Sequence, residues 1–564
     1  MANERNDLRP IQVFMGTSQF IGLEEPRTGG GNKDFFHEDD AGFARHKEQI
    51  QGRIKAVTAA LRQAKLPAGF LKVVQREEAL AKSHRPLHAL FSRRNNFGLV
   101  GSDAVGEMIF QVTPGALERL HQIIEHRAEL KPRITLNKQT GREEPRVSAY
   151  RSEIGSIKDI VLHAPADRVA FSADEAVAWM QQPNVVGGYI VELFKPDSEL
   201  APEAVGHLIE SFREGLKRIE GSMLVRSLLP DDKTAELGAS PLVLSVQLVK
   251  GSDLRLVELP FFSNGRMPEA RIGMLPAFMG APAPRDLNPT RHGELLAFLA
   301  EQSLVRTVEL PPMLETAPIA IPSDGAKVAV LPPPDGDHPV VGIIDGGVAD
   351  LNELNAWKVG DAGLVPTSDR NESHGTFIAG LVVAGAALNP NLPGIETSGC
   401  KFFDLDFFPR RELRSTYYHD IEDLFDQLEE KVRVAKQDHS VRVFNFSFAF
   451  GRQGYDLGYS IVADRLDRLA RALDVIFVVS AGNLPPSTTR PPWPAKAGDA
   501  VTMLAGFSRG SHGIRSPSEH MLGITVGAVN PPGVAGHVAH MPTTYTCRGP
   551  GELLPDLWTD LRLI

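Results

Sequence analysis

Cysteine is nearly absent from this chain: Cys400 and Cys547 are the only two among 564 residues. Two thiols so far apart make no disulfide framework and show no metal-ligand spacing, which excludes a small disulfide-stapled secreted fold. Long apolar runs are missing as well. The longest stretch of small and apolar residues, Phe377 to Leu388, falls short of the roughly 20 residues that a membrane-spanning helix needs. The N-terminus is charged from Glu4 to Arg9 and has no apolar centre, so it does not read as a secretory signal. Nor is positive charge in excess. Against 60 Lys and Arg stand 70 Asp and Glu, a net charge of −10, and no basic block is interleaved with aromatics. Neither nucleic acid nor a membrane is therefore expected as a partner, and the expected location is the reducing cytoplasm.

What is present is ordinary globular material, 42% hydrophobic and 23% charged, enough for a large core. At about 100–200 residues per domain the length suggests two to four domains. Residues 1–40, with Gly29, Gly30 and Gly31 among many charges, read as an irregular leader. Residues 41–315 alternate helical and strand-like patterns and are expected to form one or two α+β modules. Phe43 to Gln63 is an amphipathic helix pattern, Glu107 to Val112 a strand, and Pro114-Gly115 opens a helix. Strands are expected at 157–163, 188–194 and 241–249, and helices at 172–182, 204–218 and 293–303. Seven prolines from Pro311 to Pro334 then mark a Pro-rich linker over 316–337.

After the linker the texture changes. Val340 to Ile344 is a β-branched run that ends in Asp345-Gly346-Gly347. An apolar strand without alternation suits a parallel sheet covered on both faces, where functional groups gather at the carboxyl ends of strands. Alone, Asp345 would read as a turn or helix-cap aspartate. Twenty-nine residues on, however, His374 stands in Ser373-His374-Gly375-Thr376, at the start of a small-residue helix. Two further buried strands end in Asn445-Phe446-Ser447-Phe448 and in Ser480-Ala481-Gly482-Asn483. An amide side chain at a strand end is a suitable donor to an oxyanion.

This order of motifs resembles the subtilisin-like serine peptidase family, the subtilases. The resemblance runs from about residue 338 to 564. It continues through Ile524-Thr525-Val526-Gly527-Ala528, then Tyr545-Thr546-Cys547-Arg548-Gly549-Pro550, then Leu554-Pro555-Asp556, the last two similar to the family's Ser-x-Arg-Gly-Pro and Lys-Pro-Asp. It implies an α/β fold: a subtilisin-like parallel β-sheet with helices on both faces, preceded by the α+β modules. It also implies serine-type endopeptidase chemistry on an extended peptide or protein substrate. Asp345 would orient His374, the general base and then general acid, and Asn483 would donate to the tetrahedral oxyanion. Phe446, Ser447 and Phe448 would form the edge that pairs with substrate backbone. Ser480, Ala481 and Gly482 would wall the primary specificity pocket. Two departures stand out. Gly346 replaces the Ser or Thr usual after the aspartate, where a supporting hydrogen bond is expected to be missing. Ser447-Phe448-Ala449 replaces Ser-x-Gly, where a methyl is expected to narrow the pocket.

The family's nucleophile lies in Gly-Thr-Ser-x-Ala-x-Pro, and Leu557 to Ile564 does not resemble that stretch. Gly16-Thr17-Ser18 matches three letters but lacks the small residue and the proline that should follow. Gly506-Phe507-Ser508-Arg509-Gly510 spells a Gly-x-Ser-x-Gly elbow, yet a loop sequence rather than a helix follows it. The expectation is a chain truncated before its serine and inactive as it stands. The alternatives are a pseudo-peptidase that binds peptides without cutting them, or an N-terminal interaction protein with a decaying peptidase tail. Phe298 to Leu310 resembles the end of a subtilase prodomain. His84, His88, His121 and His126 are expected to be surface or core residues; Pro86 argues against a helix presenting His84 and His88 together. No cofactor is expected, and no acidic loop has calcium-ligand spacing.

Overall fold

The computed structural model describes residues 32–547, leaving out 38, 82–83, 104–105, 137–140, 198, 229–241, 251–254, 258–283, 317–332, 390–397, 419, 452–458, 495–498, 500–502, 504–512, 532–537 and 540. Ser18, Ser508, most of the leader and of the Pro-rich linker, and the motifs Arg548-Gly549-Pro550 and Leu554-Pro555-Asp556 lie outside the described residues.

The first helix, α1 (Asp40–Gln63), starts where the Asp39 carboxylate accepts the Gly42 N–H, and it buries Phe43, Ile50, Ile54, Val57 and Leu61 along one face. That face packs with α2 (Pro114–Arg127) on an antiparallel sheet. Its strands are β1 (Gly69–Gln75), β2 (Gly98–Ser102), β3 (Glu107–Val112) and β4 (Ile157–Leu162), in the order β2-β3-β1-β4. A second core follows, built from α3 (Ala173–Met180), β5 (Tyr189–Leu193), α4 (Pro202–Arg218), β6 (Met223–Ser227), β7 (Leu242–Leu248), β8 (Arg255–Val257), α5 (Pro289–Glu301) and β9 (Val305–Glu309). Its sheet runs β8-β6-β7-β5-β9. The chain then enters a short strand, β10 (Met313–Thr316).

From residue 340 the order is β11 (Val340–Asp345), β12 (Lys358–Asp361), α6 (Glu372–Leu388), β13 (Lys401–Asp406), α7 (Ile421–His439), β14 (Val443–Phe446), β15 (Phe448–Gly451), α8 (Ile461–Leu473), β16 (Ile476–Ser480) and β17 (Ile524–Val526). Six of these strands form one sheet in the order β12-β13-β11-β14-β16-β17, and every pair in it is parallel. The fold is therefore the parallel α/β sheet expected, with an α+β region before it. On one face Phe444, Phe446, Phe477 and Val479 meet Leu424, Leu428 and Val432 of α7 and Leu466, Leu469 and Leu473 of α8. On the other, Ile343 and Phe402 meet Ala379 and Val383 of α6.

Cover on that second face is uneven. Ile476, Ile524 and Val526, on the two strands farthest from α6, remain 42%, 53% and 50% exposed. Helices thus lie on both faces over β11 and β13, while over β16 and β17 no helix among the described residues covers the second face. The second α+β core abuts the first face: Ile190, Leu228 and Val243 join the same buried cluster as Phe446 and Phe477, and Arg226 ion-pairs Asp420, the N-cap of α7. Among the described residues no helix is long and apolar enough to cross a membrane.

Candidate active site

The central strand β11 delivers Asp345 to the carboxyl end of the sheet, with only 1% of it exposed. Its backbone carbonyl accepts from the N–H groups of Phe407 (2.8 Å) and Phe408 (3.1 Å), which fastens the strand end to its neighbour β13. Of the two carboxylate oxygens, Oδ1 accepts the Gly346 N–H at 2.7 Å and Oδ2 lies 2.6 Å from His374 Nδ1. An ionised carboxylate only accepts, so Nδ1 carries the proton in this pair, and the lone pair of a neutral ring sits on Nε2.

Two glycines make the contact possible. A Cβ on Gly346 would sit 2.4 Å from the Asn371 carbonyl oxygen, and one on Gly375 would sit 2.2 Å from the Gly347 carbonyl oxygen. The loop after β11 and the head of α6 are thus in backbone-to-backbone contact, which brings the imidazole onto the carboxylate. This revises the sequence view of Gly346. Its place has no room for a serine side chain, and its own N–H already supports the aspartate.

The segment before α6 is held by buried ions. Asp406, the register partner of Asp345 on β13, accepts the N–H groups of Leu364 (2.5 Å) and Val365 (3.1 Å) and pairs with Arg370. Burial raises its carboxyl above the usual range, against the pull of those N–H groups and of Arg370. Asp404 is likewise raised by burial and paired with Lys358 at 3.1 Å. Sequence reasoning missed both acids, because nothing in Lys401-Phe402-Phe403-Asp404-Leu405-Asp406 marks them as buried.

Across the sheet, Ile344, Phe446 and Val479 are register neighbours, so Asp345, Ser447 and Ser480 leave the sheet in one row. At about 4.8 Å per strand, Asp345 and Ser480 are about 10 Å apart. Asn483 follows Gly482, whose φ of +96° favours glycine, and makes an antiparallel bridge with Thr546. Among the described residues its side-chain amide has no hydrogen-bond partner. The Gly482 carbonyl accepts the Cys547 N–H (2.9 Å), so the segment around Thr546 supports the Asn483 turn. Cys547 is buried, and burial raises its thiol.

The three residues expected to form the substrate edge, Phe446, Ser447 and Phe448, span the end of β14 and the start of β15. Phe446 pairs inside the sheet and its ring is fully buried; Phe448 is buried too, stacked on Phe408 with ring centroids 3.4 Å apart. A second backbone edge follows in β15, Phe448 to Gly451. It is occupied by β10 of the same chain, antiparallel, with Met313 opposite Gly451, Leu314 opposite Phe450, Glu315 opposite Ala449 and Thr316 opposite Phe448. Ala449 therefore does lie beneath an extended strand, but as a backbone partner. β10 is held on its other side by Asn184, whose side-chain Nδ2 donates to the Leu314 carbonyl at 3.0 Å while its backbone carbonyl accepts the Leu314 N–H at 2.9 Å. Arg414 Nη1 donates to the same Leu314 carbonyl (2.5 Å), and burial pushes this guanidinium down to about 10. Asn184, Glu315 and Arg414 had no signal in the sequence, since their partners lie 100 or more residues away. Among the described residues no group of three His, Cys, Asp or Glu side chains is arranged to hold a metal ion.

Residues 336–552 match the model of the Subtilase family. No curated protein matches. Among solved structures, MycP1 with its N-terminal propeptide removed is 19% identical over 38% of this chain and 61% of that one, with a TM-score of 0.22. The prenylagaramide maturation protease PagA is 15% identical over 38% and 59%, with a TM-score of 0.23. MycP1 from Mycobacterium smegmatis is 14% identical over 39% and 66%, with a TM-score of 0.21. The chain spans less than two thirds of the length of each.

Proposed function

Because residues 336–552 match the Subtilase family model, we propose serine-type endopeptidase chemistry in which Asp345 and His374 are the acid–base half. The observation that carries this reading is the 2.6 Å contact of His374 Nδ1 with a buried carboxylate at the end of the central strand. Asp345 fixes the ring so that Nε2 faces outward as a base, and stabilises the imidazolium formed when it takes a proton. Asn483, with its amide unengaged among the described residues, is the oxyanion donor. Substrate lies extended along β15, in the place where β10 lies in this structure, with Ser480 to Gly482 beside it.

The nucleophile is the part that residues 1–564 do not supply: no Gly-Thr-Ser-x-Ala-x-Pro stretch occurs in them. These residues by themselves are proposed to be inactive, since a site without one triad member keeps only about a 10³–10⁴-fold advantage over water. A fluorophosphonate probe on the 564-residue chain is expected to leave every serine unlabelled, and labelling that depends on His374 would show that a nucleophile is present after all. The acid–base half has its own readout. A strongly downfield His374 Nδ1 proton is expected in the NMR spectrum and should vanish in Asp345→Ala. Its absence from the parent chain would remove the reading.

A second reading, a pseudo-peptidase that binds peptides without cutting them, is favoured by β10 itself. The β15 edge holds an extended strand without any covalent chemistry.

A further inference from the structure

We propose that Arg515 determines specificity in this cleft, selecting an extended peptide that carries an acidic side chain at the position Glu315 occupies. The inference rests on reading the β15 edge as the peptide groove, and it adds the chemical class of the peptide. β10 shows how a strand sits there. Side chains alternate across a strand, so Leu314 and Glu315 point to opposite faces. Leu314 is fully buried in the core between the second α+β sheet and the parallel sheet. Glu315 turns the other way, and its Oε2 lies 3.3 Å from Arg515 Nη1.

The surroundings are built for that carboxylate. A Cβ on Gly451 would lie 2.7 Å from Glu315 Oε1, so the floor of the groove is bare where the acid rests. Arg515 is not a loose surface arginine. Its N–H donates to the Ala481 carbonyl (3.1 Å), and its carbonyl accepts the Ser518 N–H (2.8 Å). Its aliphatic stem covers Gly482 so closely that a Cβ there would meet Cβ, Cγ and Cδ of Arg515 at 2.9–3.0 Å. The segment proposed to wall the specificity pocket thus carries a fixed cation on its surface. The Arg515 side chain also contacts the buried Cys547 thiol, which helps to hold the guanidinium in place, and its Nη1 is the donor that reaches Glu315.

Further charges point the same way. Arg414, under β10, lies within the electrostatic reach of Glu315, and Arg490, buried beneath Thr543 and Thr546, shares the neighbourhood of Cys547 with Arg515 and Glu315. Among the described residues, the other acids that act on Arg414 are Asp345, already engaged by His374, and Glu412. An incoming acidic residue replaces the compensation that Glu315 provides, whereas a lysine there faces a cation with no acid between them.

The test uses the full chain with Leu314→Ala and Glu315→Ala, which weakens the tethered strand. Labelled peptides copy residues 312–318 with Glu, Ala or Lys at the position of Glu315, and binding is read by fluorescence anisotropy. The expected order is Glu, then Ala, then Lys, with about two- to fivefold between steps at low salt and less at high salt. Adding Arg515→Glu should invert the order. If that variant does not fold, Arg515→Gln should bring the Glu and Ala peptides to equal affinity. Three peptides that bind alike in the Arg515 chain, or an Arg515 change that weakens all three equally, would overturn the selectivity and leave the groove standing. Failure of all three peptides to bind would remove the groove reading itself, and the selectivity with it.

Discussion

Gly375→Ala sets two effects on one residue against each other, and the structure says which should win. In a helix, alanine is favoured over glycine by about 1 kcal/mol. At Gly375, however, the added methyl would lie 2.2 Å from the Gly347 carbonyl oxygen and 3.2 Å from Asp345 Cβ. A carbon and an oxygen in ordinary contact need about 1 Å more, so either the head of α6 or the loop after β11 must retreat by about that distance. Neither is a flexible side-chain end. Overpacking of this kind costs about 1–3 kcal/mol, which outweighs the helix-propensity gain. The retreat also acts on the site, since opening the 2.6 Å contact between His374 and Asp345 by about 1 Å leaves no hydrogen bond. Gly380, one turn and a half along the same helix, is the control. A Cβ there meets only Leu388 Cδ1, at 3.8 Å, so Gly380→Ala should stabilise the chain by about 0.4–1 kcal/mol. Both variants are read by urea unfolding and by the downfield His374 proton. Gly375→Ala should lose stability and the proton; Gly380→Ala should keep both. A Gly375→Ala chain that unfolds like Gly380→Ala, with its downfield proton unshifted, would refute the backbone-contact argument.

Gly346→Ser tests the other side of the same contact. Its Cβ would lie 2.4 Å from the Asn371 carbonyl oxygen, so a loss of about 1–3 kcal/mol is expected, and unchanged urea unfolding would show that the loop yields. Glu422 gives a pH dependence. Its carboxyl is pushed up to about 8, chiefly by burial and against the pull of Arg465 at 2.8 Å. A carboxyl raised above its unfolded value of 4.5 costs nothing below that pH, and stability is lost as pH rises from 4.5 towards 8. Glu422→Gln removes the loss, so its advantage over the parent should grow between pH 5 and pH 8 to on the order of 1–3 kcal/mol. An advantage that is constant or shrinks with pH would mean that the ion pair with Arg465 outweighs burial.

The parts of the site that were legible are those whose signal is local. Val340 to Ile344 is an apolar run closed by a glycine-containing turn, as a strand buried on both faces must be written, and the strand before Ser480 is apolar in the same way although Ile476 on its second face is half exposed. His374 was legible because a run of small residues follows it, which lets α6 approach the sheet. The strand carrying Asp404 and Asp406 was not legible, because two acids interrupt its apolar pattern and their neutralisation by Lys358 and Arg370 is tertiary. β10 was hidden for another reason. Pro311-Pro312 before it and Pro318 after it read as linker, and its partner strand lies more than 130 residues on, at Phe448 to Gly451. Pairing at that distance leaves no period to find. Arg515 carries its role through a contact with Gly482 that only the folded loop creates.

The two halves of the site depend on different supports, and this bears on how far one can exist without the other. Asp345 and His374 are fixed by β11, β13 and the head of α6, where the sheet is covered on both faces and the contacts are between backbones. Asn483, Gly482 and Arg515 stand above β16 and β17, where no helix among the described residues covers the second face, and they are fixed by loop residues such as Thr546 and Ser518 rather than by a helix. A perturbation of that face should therefore reach the oxyanion donor and the specificity wall first, while the Asp–His contact survives. The acid–base pair is then the part of the site that persists whatever lies against β16 and β17. Peptide selection by Arg515 is the part whose strength depends on it.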